Sequence, residues 1–452
     1  MSGNCKPNSS LPADPEPRQV SPAPSRGAGP YAAWQNADYR RYACSWFALT
    51  FGKQIETVAV GIHLYERTRD PMALGWLGLV QALPVLLLAI PGGQIADRFD
   101  RRRVMILMLA LGMFVSLGLA VLARLDAPIH WFYLLLAFGA TTQALGSPSR
   151  SALLPEIVSP SIFSNAVTWN SSVFQVASMT GPAVGGLIVA AQTNASAAFA
   201  TVAVCRLLSL VAIVVLRHRS PVRVGESISL ESLMAGIRFV WNTRLILATI
   251  TLDLFAVLLG GATYLLPIYA KDILHVDAAG LGFLRSAEAI GAVSMAMLLA
   301  HLPPMRHAGR TMLWAVAGFG VATIVFGLSQ WFWLSMAMMF LIGAMDNISV
   351  VVRHTLVQML TPDHMRGRVS AINSIFIVAS NDLGGLESGF TARLLGPVVS
   401  VVAGGLGAIV VVLGTSRIWP QILSIGSLQD IRPAKPIEIP EKMDEELATH
   451  RG

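Results

Sequence analysis

The sequence predicts an all-α polytopic membrane protein with twelve transmembrane helices in two six-helix bundles, and three observations predict it. Of 452 residues, 54% are hydrophobic and only 13% charged. With a mean hydropathy of +0.59, that is too little charge to coat a soluble protein of this length. Apolar runs of about twenty residues recur along the chain, each long enough to cross roughly 30 Å of hydrocarbon at about 1.5 Å per residue. The arginines between these runs collect in alternate short loops, the asymmetry that orients helices in a bilayer.

Taken in order, residues 1–38 form the first unit. Residues 1–30 are rich in Pro, Ser and Gly, and no apolar core follows a basic start, so they read as a disordered cytoplasmic tail, not a cleaved signal peptide. The first bundle, 39–217, holds segments 1 to 6 at about 42–65, 74–96, 104–123, 131–150, 162–191 and 196–216. A linker follows at 218–244. Within it, Leu230, Leu233, Met234, Ile237, Val240 and Trp241 recur at helical spacing and predict an amphipathic helix on the inner membrane surface. The second bundle, 245–418, holds segments 7 to 12 at about 245–269, 279–300, 311–328, 331–352, 368–392 and 397–417, and a polar, Pro- and Glu-rich cytoplasmic tail closes the chain at 419–452.

With both termini inside, the inner loops carry roughly fifteen Lys and Arg and the outer loops about five, which predicts a multi-pass protein of the plasma (inner) membrane. A weak internal repeat supports the two halves. Arg150, Leu153, Asn170 and Ser171 recur as Arg353, Leu356, Asn373 and Ser374 at a constant offset of 203, around turns on the inner face that also include Arg366 and Arg368.

The most specific stretch is GGQIADRFDRRRVM, Gly92 to Met105, between segments 2 and 3. Gly93, Asp97, Arg98, Arg101 and Arg102 fit the pattern G-x-x-x-D-R-x-G-R-R, with Asp100 where a glycine is usual. The string resembles the helix 2–3 loop of major facilitator superfamily transporters, and its DRFDRRR tail is similar to the enterobactin-exporter-like, drug-efflux branch. The resemblance spans about residues 35–418. It implies that Asp97 packs near the start of helix 11, where exposed backbone N–H groups favour an anion. Such a contact is a conformational latch that breaks when the inner side opens. Read without the resemblance, the loop is a topogenic basic cluster.

Gly181, Pro182, Gly185 and Gly186 place GPAVGG inside segment 5, a proline bend beside a flat glycine face. The pattern resembles the helix 5 signature of exporters and antiporters; an ordinary kinked packing helix is the plainer reading. Ionisable groups within the spans come next. Lys53 and Glu56 lie three apart on one face of segment 1 and can neutralise each other. In the family, helices 1, 4, 7 and 10 line the central cavity. The resemblance thereby implies that Glu56, Asp253 and Asp346 surround the substrate, Asp346 above all with Asn347 beside it, and a buried carboxylate can carry a proton. Glu288, Asp382 and Glu387 sit on helices expected to be less central. Segment 4 has no arginine deep in the span, only Arg150 at its inner end, and Gln143 with Thr141 and Thr142 supplies polarity there. Arg206, near the middle of segment 6, should turn inward to a polar partner. Trp46, Phe47, Trp76, Tyr264, Tyr269 and Trp314 are pocket candidates. Trp131, Phe132, Trp331 and Trp333 at helix starts read as interface belts.

Several classes fall away. Three scattered cysteines give neither disulfide framework nor metal site, and nine dispersed histidines show no ligand spacing. The charge of +7 is accounted for by topology, not by nucleic acid. No G-x-x-x-x-G-K-[ST] loop is present, so no cofactor is expected and an ion gradient, of protons first, should drive the protein. The expectation is a monomeric secondary transporter in the lipid bilayer, not an enzyme, that exports a hydrophobic or amphipathic small molecule, drug-like or siderophore-like. Proton-coupled uptake of an organic solute or lysophospholipid stays open, as does a non-transporting sensor or polytopic membrane enzyme.

Overall fold

The computed structural model describes residues 29–192, 194–217, 230–303, 305–362 and 365–426. Twelve long helical segments follow one another among these residues: α1 Ala37–Thr68, α2 Pro71–Arg98, α3 Arg101–Arg124, α4 Ile129–Ile157, α5 Pro160–Ala190, α6 Ser196–Val214, α7 Arg244–Ile273, α8 Ala278–His301, α9 Ala308–Leu328, α10 Phe332–Leu360, α11 Arg366–Leu395 and α12 Pro397–Ile418. Ten are long and apolar enough to cross a membrane. The other two, α1 and α4, have the length but carry more polar residues.

Local chemistry sets the boundaries. The Asn36 side chain accepts from the amides of Asp38 and Tyr39 to start α1, and Asp70 accepts from Met72 to start α2, with Pro71 at the first helical position. Asp100 accepts from the amides of Arg102 and Arg103; where the family pattern has glycine, this chain has a helix cap. Pro148 and Pro155 do not end α4, which runs to Ile157, and α10 likewise continues to Leu360. Arg150 and Arg353 therefore lie within helices, not in inner-face turns as the repeat suggested; only Arg366 and Arg368 stand at a helix start.

Each half packs in the same way. The pairs α1–α5, α1–α6, α2–α4, α3–α4 and α3–α6 recur as α7–α11, α7–α12, α8–α10, α9–α10 and α9–α12. The halves meet through α2–α11 and α5–α8. Both contacts depend on missing side chains: a Cβ on Gly75 would come 3.3 Å from the Gly389 Cα, and one on Gly186 would come 3.0 Å from the Gly282 Cα. Ala278, whose carbonyl also abuts Gly186, and Gly389 lie 203 positions after Gly75 and Gly186. The sequence repeat thus maps one junction onto the other.

The linker helix, Leu230–Asn242, is amphipathic as expected, with Met234, Ile237 and Trp241 exposed. It also docks: Val240 is buried with Ile246, Val357 and Ile372, and Gly236 faces Ile372 and Arg368. The expected tails are shorter than read. The Trp169 indole and the Asn165 amide donate to the Pro30 carbonyl, and residues 32–35 form a helical turn against α5. Ile422 and Ile425 are buried against α9, where the Ala308 amide donates to the Gly426 carbonyl. Residues 1–28, 218–229 and 427–452, on which the remaining tail and linker expectations fall, lie outside the described residues.

Candidate functional site

The motif stretch Gly93–Arg103 sits where α2 turns into α3, on the arginine-rich face. Asp97, half-buried, lies 3.9 Å from Arg101. Arg101 bonds Glu156 at 2.6 Å and the Ala152 carbonyl on α4, while Arg102 donates to the Ile213 and Val214 carbonyls at the end of α6. Arg98 is exposed. Gly92 lets α2 approach α4, its Cβ position being 2.9 Å from the Ala144 carbonyl. The loop therefore knits α2, α3, α4 and α6 of one half. Among the described residues, the expected contact of Asp97 with the start of α11 is not formed.

The reason lies in how the halves are joined. Among the described residues, the hydrogen bonds and ion pairs that cross between them lie away from the arginine-rich face. Lys271 bonds Glu66 at 2.6 Å, Tyr65 donates to Asp272, Arg69 lies 3.4 Å from Asp272, and Arg393 lies 3.4 Å from Asp70. The helix 5 motif belongs to this junction. Gly181 and Gly185 fit against Gln54 and Ile55 of α1, whereas Pro182 and Gly186 face Gly282 of α8, and the Ala183 amide donates to the Ser286 hydroxyl at 3.1 Å.

Between the halves lies a polar cavity of about 240 Å³. Lys53, Glu56 and Gln81 line one wall; Tyr264, Arg285, Glu288 and Asn381 line the other. Glu56 is 5% exposed and held twice, by Lys53 at 3.2 Å and by Arg206 at 2.6 Å. Arg206 turns inward as expected and also donates to the Gly112 carbonyl. Tyr264 donates to Asp382 at 2.7 Å. Arg285 donates to the Thr263 carbonyl, but its Nε is buried with no partner among the described residues.

This arrangement corrects the expectation that Glu56, Asp253 and Asp346 ring one cavity. Asp253 is buried in an ion pair with Arg353 of α10, inside the second half. Asp346 lines a small neighbouring void with Asp253, Val316 and Phe319, and among the described residues it has no hydrogen bond or ion pair. The cavity wall comes from Tyr264 of α7 together with α8 and α11, the two helices discounted from the sequence. The Gly186–Gly282 approach presses α8 against α5 and so brings Ser286, Arg285 and Glu288 toward the boundary. Arg285 was missed altogether, though a buried arginine in an apolar run was visible at that position.

A second cavity, about 190 Å³, lies within the first half, lined by Trp46, Thr50 and Lys53 of α1, Met108 of α3, Gln143 and Arg150 of α4, and Phe174 of α5. The Arg150 guanidinium stacks 4.3 Å from the Trp46 ring. Lys53 lines both cavities. Of the other aromatics, Tyr269 is buried core, Trp76 and Trp314 point outward, and Phe132 is buried instead of forming a belt as Trp131, Trp331 and Trp333 do.

The transmembrane secretion effector family matches residues 28–452. The chain belongs to the major facilitator superfamily, in that family. It is thus a multi-pass membrane transporter, not an enzyme. Curated relatives include the enterobactin exporter EntS of Shigella boydii serotype 18 and that of Escherichia coli O1:K1 / APEC, each 26% identical over 360 residues, covering 78% of this chain and 85% of theirs. The fold matches a POT family transporter in complex with 5-aminolevulinic acid, at TM-score 0.68 and 13% identity over 85% of this chain and 96% of that one. It also matches a bacterial homologue of the human lysosomal transporter Spinster in an inward-facing and occupied conformation, at TM-score 0.66 and 14% identity over 88% and 99%. In this transporter, Lys53 of the first half and Glu288 of the second line a common cavity at the boundary.

Proposed function

We propose that the transporter exports a hydrophobic or amphipathic small molecule, drug-like or siderophore-like, by alternating access coupled to the proton gradient. One observation carries the reading: a polar cavity lies between two equivalent halves whose bonds to each other, among the described residues, lie on one side only. Two bodies so joined can rock about the cavity, and substrate binding need only favour one orientation over the other. The positive-inside bias places the arginine-rich face in the cytoplasm, so the bonded side is the outer one. This arrangement is the inward-facing member of the cycle, with the Asp97 latch released.

Coupling falls to the second half. Asp253 is neutralised by Arg353, but Asp346 has no such partner among the described residues, and a carboxylate in that setting can take up and release a proton as its surroundings change. Similarity to the enterobactin exporters supports outward traffic. The test uses everted membrane vesicles carrying a pH gradient reported by acridine orange. Addition of a transported catecholate siderophore or amphipathic dye should dissipate the gradient in vesicles containing the wild type but not Asp346→Asn. No dissipation by any compound of such a panel overturns the antiport reading.

A further inference from the structure

The internal repeat exposes one asymmetry that bears on what is carried. Asp253 and Arg353 pair in the second half; the positions 203 earlier are Thr50 and Arg150. The first half has the cation but no acid at the matching position. In the helix interiors, away from the last turn or so at either end, this becomes a bias: Lys53, Arg150 and Arg206 stand against Glu56 in the first half, whereas Arg285 and Arg353 stand against Asp253, Glu288, Asp346, Asp382 and Glu387 in the second.

Arg150 sits in the 190 Å³ cavity with no carboxylate beside it among the described residues; its guanidinium donates to the Ser147 hydroxyl at 3.2 Å and lies over Trp46. Two residues lining the cavity carry donors with no acceptor among the described residues. They are the buried indole N–H of Trp46 and the buried hydroxyl of Thr50, which is 6% exposed. Around them the walls are flat and apolar: Phe174 stacks on Trp46 at 6.1 Å and 19°, and Met108 and Leu109 complete the surface. Unmet donors and an unneutralised guanidinium in an aromatic cleft suit a ligand that brings acceptors, negative charge and a ring face.

We propose that this cavity is the substrate subsite for an anionic aromatic group, with Arg150 as its counter-ion, Trp46 and Phe174 as its stacking platform, and Thr50 and the Trp46 indole as hydrogen-bond donors. The proposal rests on the transport reading for its biological use but not for its binding. Substrate charge is matched in the first half, while proton exchange is left to the second.

The test is calorimetric titration of the full-length protein in nanodiscs with 1-naphthoate and with its uncharged amide, 1-naphthamide. Wild type should bind naphthoate at least tenfold more tightly than the amide. Arg150→Gln should abolish that preference and Arg150→Lys should keep part of it. Thr50→Asp, which restores the acid found in the other half, should remove naphthoate binding in a protein that elutes as wild type on gel filtration. Equal binding of the two probes by wild type, or naphthoate binding unchanged in both Arg150→Gln and Thr50→Asp, overturns the proposal. Vesicles separate the two ideas. Gradient-driven extrusion of a dye without naphthoate binding refutes the subsite alone, and naphthoate binding without any gradient-driven transport refutes the transport reading alone.

Discussion

Gly186 of α5 and Gly282 of α8 meet backbone to backbone across the boundary between the two halves, a Cβ on the former coming 3.0 Å from the Cα of the latter. The contact joins the helix 5 motif to the opposite bundle, so this glycine face acts between bodies as well as within one.

Substituting Gly186→Val should wedge that junction apart. Overpacking a tight contact costs about 1–3 kcal/mol, enough to shift a two-state balance about 5- to 150-fold. The outer side should open, making a cysteine placed at Ser286 reactive to a membrane-impermeant maleimide. Reactivity equal to that of the parent protein would show that the junction tolerates the added methyls.

On the proposed cycle, Asp97 acts in the other orientation. With no bond to α11 among the described residues, it would contribute to the state in which the arginine-rich face is closed, where an acid at a helix start is worth about 0.3–1 kcal/mol. Asp97→Asn should therefore raise the population of the form described here by roughly two- to fivefold. Protease or maleimide access to the arginine-rich face measures it, and a decrease in access would contradict the latch.

Arg206 and Lys53 both hold Glu56, but not equally. The Arg206 side chain is 11% exposed at 2.6 Å, and that of Lys53 is 34% exposed at 3.2 Å. Arg206→Ala strands a buried carboxylate and should cost about 3–5 kcal/mol, whereas Lys53→Ala should cost about 1 kcal/mol or less. Thermal unfolding in detergent at one scan rate ranks them; equal losses would refute the buried triad.

The Asp253–Arg353 pair should behave as a structural lock. Asp253→Ala leaves a guanidinium uncompensated and should cost about 3–5 kcal/mol, and Asp253→Leu with Arg353→Met should recover most of it. If Asp253→Ala is as stable as wild type, the pair is not holding α7 to α10.

Much of this was legible in the chain. Span length and loop arginines give the two bundles, and the 203 offset correctly relates Gly75–Gly389 to Ala278–Gly186, although only four other matches had suggested it. The inner end of segment 4 was read near residue 150, but α4 runs on through Pro155 to Ile157, because a proline in a packed membrane helix bends the chain without ending it. The cavity was only half legible. Lys53 and Glu56 announce themselves as charges in an apolar run, but that Glu56 belongs to Arg206, 150 residues away, is set by how α1 packs on α6. Likewise nothing local distinguishes Asp253, locked by Arg353, from Asp346, which has no ion pair among the described residues. The difference lies in which face of α10 meets α7.

Rocking of the two halves is most directly measured by electron spin-spin distances in nanodiscs. One spin-label pair, Arg98→Cys with Arg368→Cys, spans the arginine-rich face, and the other, Gln192→Cys with His275→Cys, spans the opposite face. Changing pH or adding a transported substrate should shorten the first distance while lengthening the second. Two distances that stay fixed, or that change in the same direction, would contradict alternating access by this transporter.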